Sequence, residues 1–194
     1  MSDAAVQTVQ ISNRFSLPFF PMRPRLGTII AKLEDMDSLD PEYHWSLKLN
    51  GDRALMGVVD KQVYFANRHG SWFKFNVANA PTFASKLKGS WLFDGEVYKK
   101  EFFPFELIES PEGSLTDKCP SVRAEHARSV CKMLKVAWMY GSKDTLKQEA
   151  SPFILELRSS PYEGVVGKLL GSRYVPLGSA GRESNAWIKR KWAL

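Results

Sequence analysis

The sequence predicts an α+β domain built on mostly antiparallel sheets with flanking helices. Three observations carry this. Short β-prone runs bounded by turn residues recur through much of the chain. Only one stretch, Ser121 to Met139, holds a helical spacing of apolar residues over several turns. The strands follow one another instead of alternating with helices, which argues against a parallel α/β sheet.

At 194 residues the chain is long enough for one domain with a real core. A formal net charge of +6 favours a polyanionic partner, nucleic acid or nucleotide phosphates. The two cysteines, Cys119 and Cys131, form no CxxC and no Cys/His cluster. That argues against structural zinc and against a disulfide framework. No apolar run reaches membrane-spanning length. Met1 to Gln10 lacks the basic start and apolar core of a signal peptide. A soluble cytoplasmic protein is expected (host cytoplasm if phage-encoded), with no membrane partner.

Residues 1–16 read as a flexible N-terminal extension and 17–194 as a single domain, without repeats or linkers. Leu17 to Gly27 carries Pro18, Pro21 and Pro24 and is expected to be extended. A short helix or turn is expected over Thr28 to Met36, and Asp35, Asp37 and Asp40 mark a loop. Trp45 to Leu49 reads as a strand ending at the Asn50-Gly51 turn. Ala54–Val59 and Val63–Phe65 pair about Asp60-Lys61. Asn67 to Gly70 is a turn, Trp72 to Phe75 a strand, and Pro81 to Lys88 a short helix.

Ser90 to Tyr98 forms the next strand. Phe102 to Ile108 is a buried strand in which Pro104 signals an edge or a bulge. In the long helix Ser121 serves as the cap. Val122, Ala127, Val130, Leu134 and Ala137 share one face, with Arg123, Arg128, Lys132 and Lys135 elsewhere. Met133 and Met139 are expected in the core. Pro152 to Leu157 and Gly164 to Leu170 are strands. Trp187 to Trp192 is the last, with Trp187, Lys189 and Lys191 on one face.

Lys48, between apolar neighbours and just ahead of Gly51, is placed to point one amine into a cleft. Gly51 turns the chain and leaves no side chain to crowd a ligand. An ordinary Asn-Gly hairpin with a solvated lysine would read the same way. Lys189 and Lys191 equally fit a charged edge strand that blocks aggregation. Glu96 and Glu163 offer hard oxygen ligands of the kind Mg²⁺ accepts, or plain surface charge.

The fragments taken together, in order, resemble a known family. Lys48-Leu49-Asn50-Gly51-Asp52-Arg53 resembles the KxDGxR nucleophile motif of covalent nucleotidyltransferases, the superfamily of ATP-dependent DNA ligases, RNA ligases and mRNA-capping guanylyltransferases. Asn67-Arg68-His69-Gly70 is similar to its Arg-x-Gly turn, and Asp94-Gly95-Glu96 to its DGE motif. Glu163 to Lys168 is similar to EGVVxK, and Trp187 to Lys191 to WxKxK.

The resemblance, to the adenylation domain of ATP-dependent DNA ligases, implies an ATP-grasp-like nucleotidyltransferase fold and a reaction. Lys48 attacks the α-phosphate of ATP to form lysyl-AMP, AMP passes to a 5′-phosphate, and a nick is sealed. A free lysine of pKa ~10.4 is protonated at neutral pH, so such a nucleophile needs desolvation or neighbouring positive charge. By resemblance Lys189 and Lys191 hold the α-phosphate and stabilise charge on it. Glu96 lies near ribose and metal, Glu163 near the metal, and Arg53 contacts the ribose or fixes the loop. Lys168 lies near a nucleotide phosphate, and Arg68 on the nucleic-acid backbone. Phe102 is the candidate for stacking on the base, with Phe103 and Phe105 competing. ATP and Mg²⁺ are the implied cofactors, and nicked double-stranded DNA the implied partner, with RNA or a hybrid as alternatives.

The pattern departs from the family in places. Asn50 replaces the usual Asp of the nucleophile motif. Ser46 stands where many DNA ligases carry a base-reading Glu, which leaves GTP open beside ATP. No OB-fold domain is expected after Lys191. Slow self-nucleotidylation is therefore expected, and a partner chain supplying the OB-fold function is one expectation. Alternative readings are an RNA ligase, a capping-type guanylyltransferase, or a non-catalytic module that binds nicks or a protein.

Overall fold

Two sheets, set by two different patterns of burial, make the body of the molecule. The computed structural model describes residues 21–30, 33–70, 72–73, 76–139, 146, 161–175 and 184–192. The expected strand at Pro152 to Leu157, the N-terminal extension, and Leu17 to Phe20 lie outside these. So do Lys74 and Phe75, which belonged to an expected strand.

The strands are β1 (Pro24–Leu26), β2 (Tyr43–Leu49), β3 (Asp52–Val59), β4 (Gln62–Asn67) and β5 (Trp72–Phe73), then β6 (Trp91–Tyr98), β7 (Glu101–Ser110), β8 (Gly113–Ser114), β9 (Tyr162–Leu169) and β10 (Ser184–Lys191). Among the described residues α1 (Ala80–Lys86) and α2 (Pro120–Leu134) accompany them, with a 3-10 turn at Leu33–Ser38. The four-stranded sheet runs β1-β10-β9-β2, and the six-stranded sheet runs β5-β4-β3-β6-β7-β8. All pairings but the parallel β1–β10 contact are antiparallel. Among the described residues no helix is long and apolar enough to cross a membrane.

The Asn50-Gly51 turn is not a hairpin. β2 pairs with β9 in one sheet, while β3 pairs with β4 and β6 in the other. The chain therefore crosses between sheets just after Lys48. Asn50 N–H donates to the Pro161 carbonyl at 2.8 Å. A Cβ on Gly51 would collide with the Val97 carbonyl oxygen of β6. Close approach, not a left-handed backbone, demands glycine there. True hairpins lie elsewhere: Asp60 (φ 50°) with Lys61 (φ 63°), and Lys99 (φ 47°) with Lys100 (φ 64°), each form the paired left-handed turn that matches strand twist.

Both faces of β3 are buried, so its side chains feed two cores. Ala54, Met56 and Val58 join Phe65, Phe83, Phe93, Phe102 and the α2 residues Ala127 and Leu134. Leu55 and Val59 point the other way, to Met22, Leu92, Tyr174 and Trp187, and this cluster joins the two sheets. A third cluster, with Trp45, Leu47, Val165 and Trp192, backs the four-stranded sheet.

Pro104 sits where the sequence suggested irregularity. The β6–β7 register slips between Asp94 and Gly95, which leaves Phe105 as an extra residue on β7. β8 pairs only with Glu109 and Ser110, so the edge of β7 at Pro104 has no ladder partner to lose.

The long helix differs from expectation at both ends and on its buried face. It starts after Cys119 with Pro120 in its first turn, and it ends at Leu134 because Lys135 is left-handed (φ 58°). Its buried face is Pro120, Arg123, Ala127, Cys131 and Leu134. Arg123 is fully buried, while Val122 (36 %) and Met133 (60 %) are exposed. An apolar-periodicity reading misassigns all three, because a buried carboxylate on β7 draws the arginine inward.

Candidate active site

A cavity of about 710 Å³ opens between the two sheets. Strand register builds its edge. Lys48 on β2 and Lys191 on β10 both lie opposite Gly164 of the central β9. Gly164 has φ +153°, and a Cβ there would collide with the Arg190 carbonyl oxygen. That close strand approach brings the neighbouring carboxylate, Glu163, within reach of both lysines. Lys48 Nζ donates to Glu163 Oε1, and Lys191 Nζ donates to Oε2 at 2.9 Å. Partial burial pushes the Glu163 carboxyl up, but the hydrogen bonds from Lys48 and Lys191 prevail and hold it below the ordinary range.

The wall formed by the six-stranded sheet carries Arg53 and Glu96, which are opposite one another on β3 and β6. Arg53 is gripped by fully buried Asp94: Nε donates to Oδ1 at 2.5 Å, and Nη2 donates to Oδ2. Nη2 also reaches the Met22 carbonyl at 3.3 Å. Such a two-point fork fixes direction as well as charge. Burial favours the neutral form of Arg53, yet the Asp94 carboxylate drives its pKa above the ordinary value. Burial pushes Glu96 up to about 7, with Arg53 and Lys48 opposing.

At the base of the cavity Lys168 is almost wholly buried. Its ammonium lies 3.0 Å from Glu106 Oε1 and 4.2 and 4.3 Å from the ring centroids of Phe105 and Trp187. The same Glu106 oxygen accepts from Arg123 Nη2 at 3.3 Å, and Arg123 Nη1 donates to the Lys118 carbonyl. Burial lowers Lys168 to about 8, although Glu106 and Asp94 pull it back up. His44, opposite Lys168 on β2, is lowered to about 4 by burial and then by Lys168. It is neutral at physiological pH.

Lys48, Arg53, Arg68, Glu96, Glu163, Lys168, Lys189 and Lys191 all line this one cavity. Phe102 does not. It is fully buried, edge-on to Phe65 and Phe83, on the face of β7 that packs under the helices. Phe105 lines the cavity instead. Strand alternation sends residues 102 and 105 to opposite faces, and the bulge completes the turn of Phe105 inward. Phe102→Ala is accordingly expected to lose about 3–5 kcal/mol of stability in urea unfolding. Phe105→Ala, which removes a half-buried ring packed on Trp187 and the Lys168 ammonium, should cost less than Phe102→Ala in the same measurement.

Asp94, Glu106, Arg123, Tyr174 and Trp187 complete the site's support, and motif reading alone did not assign them this work. One signal was available: Glu106 is a lone charge in an apolar strand, which folding permits only with a partner. Met139, packed against the core cluster behind the four-stranded sheet as expected, also lines the cavity. Among the described residues no cluster of three or more His, Cys, Asp or Glu could hold a metal ion. Glu96 on the six-stranded sheet and Glu163 on the four-stranded sheet both line the cavity, and Mg²⁺ is commonly held by one or two carboxylates completed by substrate phosphates and water. The donor set fits such an ion.

No family model and no curated protein matches the chain. Solved structures do. It is similar to mycobacterial DNA ligase D complexed with ATP and MES, at a TM-score of 0.62 and 20% identity over 91% of this chain and 62% of that one. The ligase domain of M. tuberculosis LigD aligns equally well, with a TM-score of 0.62 and 19% identity over 91% of this chain and 61% of that one. Pmar-Lig gives 0.54 and 16% over 98% of this chain and 51% of that one. The chain thus spans between 51% and 62% of the length of these three structures. Its two sheets and their flanking helices have the fold of the ligase (adenylation) domain of ATP-dependent DNA ligases.

Proposed function

We propose that residues 17–194 are the nucleotidyltransferase core of an ATP-dependent polynucleotide ligase that acts on nicked duplex DNA in the cytoplasm. The observation that carries this reading is a single carboxylate, Glu163, bridging Lys48 and Lys191 at the mouth of a cavity that also holds Arg53, Glu96 and Lys189.

Lys48 Nζ, once it has lost its ammonium proton to solvent, attacks the α-phosphorus of ATP. A P–N bond forms, the bond from that phosphorus to the bridging oxygen breaks, and pyrophosphate leaves. Lys189 and Lys191 face the charge that grows on the α-phosphate oxygens. Arg53, aimed by Asp94, meets the ribose. Phe105 replaces Phe102 as the aromatic that meets the base. Glu96 and Glu163 would hold Mg²⁺, which when bound withdraws charge from the phosphate. The 5′-phosphate of a nick then takes AMP from Lys48, and the 3′-hydroxyl displaces AMP. Arg68, at the tip of the β4–β5 turn, is placed for the nucleic-acid backbone.

Mass spectrometry after incubation with Mg²⁺ and either ATP or GTP tests this. A gain of one AMP with ATP, and sealing of a 5′-adenylated nick, is expected. A gain of GMP would redirect the reading to capping-type chemistry, and neither adduct nor sealing would end it.

The Lys168 proton gives a pH dependence. Its charge is present below about 8 and lost above it, so nucleotide affinity is expected to fall as pH rises through about 8. Titrating affinity from pH 6.5 to 9.5 should show that limb in the wild type and none in Lys168→Met.

A further inference from the structure

Tyr174 follows β9 in a loop with no motif residue, yet it is 3 % exposed. Its hydroxyl donates to Asp94 Oδ2 at 2.8 Å. Its ring meets Trp187 edge-on, with centroids 5.9 Å apart, and carries the Arg123 guanidinium at 5.6 Å. The loop itself is anchored: Tyr174 N–H donates to the Thr116 carbonyl at 2.8 Å, and Val175 N–H to Met22 Sδ at 3.2 Å. Tyr174 therefore touches both buried charge clusters of the cavity, Arg53–Asp94 and Lys168–Glu106–Arg123.

The Asp94 carboxylate is wholly buried, so protein donors must satisfy it. Oδ1 takes Arg53 Nε, and Oδ2 takes Arg53 Nη2 together with the tyrosine hydroxyl. A carboxylate held by one arginine alone can rotate with it. A third donor from a separate, anchored loop fixes the carboxylate plane and with it the direction of the guanidinium. Burial and the Asp94 charge raise the tyrosine well above its ordinary pKa of 10, so it stays a donor throughout the working range.

We propose that Tyr174 is a positioning residue: through Asp94 it aims Arg53 at the ribose of the bound nucleotide and so contributes to selection of a ribonucleotide. The ribose part rests on the proposed function; the aiming of Arg53 does not.

Tyr174→Phe keeps the ring and removes only the hydroxyl. In the unliganded chain, the Arg53 Nε–H proton, followed by ¹⁵N NMR, is expected to exchange with solvent about tenfold faster in the variant. Unchanged exchange would overturn the proposal, whatever the chain catalyses. With nucleotide, the preference for ATP over 2′-deoxy-ATP in adduct formation should narrow by roughly five- to tenfold in Tyr174→Phe. An equal loss for both nucleotides would mean that the hydroxyl only supports packing, which refutes the selection role. A wild-type chain that forms no adduct fails the functional reading instead, and the exchange measurement still decides Tyr174.

Discussion

Lys48→Ala is expected to take up no nucleotide covalently, with adduct formation down by at least about 1,000-fold in single-turnover labelling. Lys48→Arg should fail equally: it restores a cation beside Glu163 but offers no nucleophilic amine at neutral pH. Neither change should matter much to folding. The Lys48–Glu163 pair is partly solvated, with side chains 20 % and 25 % exposed, and such pairs contribute about 0–1 kcal/mol. The separation is the test. A variant that folds with the wild-type urea midpoint, binds ATP and stays unlabelled identifies Lys48 as the nucleophile. Labelling that persists in Lys48→Ala would move the chemistry to another lysine. Lys191→Ala should also slow the reaction, but with adduct still detectable, since in the proposed mechanism Lys191 stabilises charge and forms no bond to phosphorus.

Glu106→Ala is expected to be the most destabilising single change in the site. It strands two cations, Arg123 and Lys168, that are 0 % and 3 % exposed and share one carboxylate oxygen. Removing one partner of a buried pair costs about 3–5 kcal/mol. Lys168 can limit the loss by releasing its proton, which makes the penalty pH-dependent. The folded pKa of Lys168 already lies at about 8, below the ordinary 10.5.

Between those values the unfolded chain binds more protons than the folded one, so this group makes stability rise with pH there. Without Glu106 the folded pKa falls further, and the window in which stability rises extends below pH 8. Urea midpoints from pH 6 to 9 should therefore climb more steeply in Glu106→Ala than in the wild type. A parallel pair of curves would mean that Lys168 is not coupled to Glu106. Arg123→Met should cost less, because Glu106 keeps Lys168. The double variant Glu106→Gln with Arg123→Met should lose less than the sum of its parts.

Much of this was legible beforehand. The β-prone runs, the paired turn at Asp60-Lys61 and the irregularity at Pro104 are local properties; the order of strands within the two sheets is not. Lys48, Arg53, Glu96, Glu163, Lys168, Lys189 and Lys191 could be named as candidates because their short fragments resemble family motifs, and all seven line one cavity. Local patterns could not show that Asn50-Gly51 leaves one sheet for another, since a hairpin and a crossover share the same turn residues. Nor could they choose between Phe102 and Phe105: alternation puts them on opposite faces of β7, and only the packing of the sheets shows which face lines the cavity.

Taken alone, the order of residues determined which stretches extend, where they turn and which side chains are candidates for the proposed chemistry. Tertiary structure decided which of them meet. Lys48 and Glu163 are 115 residues apart, Arg53 and Asp94 are 41, and Tyr174 and Asp94 are 80. A buried charge is tolerated only where a partner arrives from elsewhere in the chain. Arg123 therefore turned into the core against its helix's apolar periodicity, because Glu106 was already there to receive it.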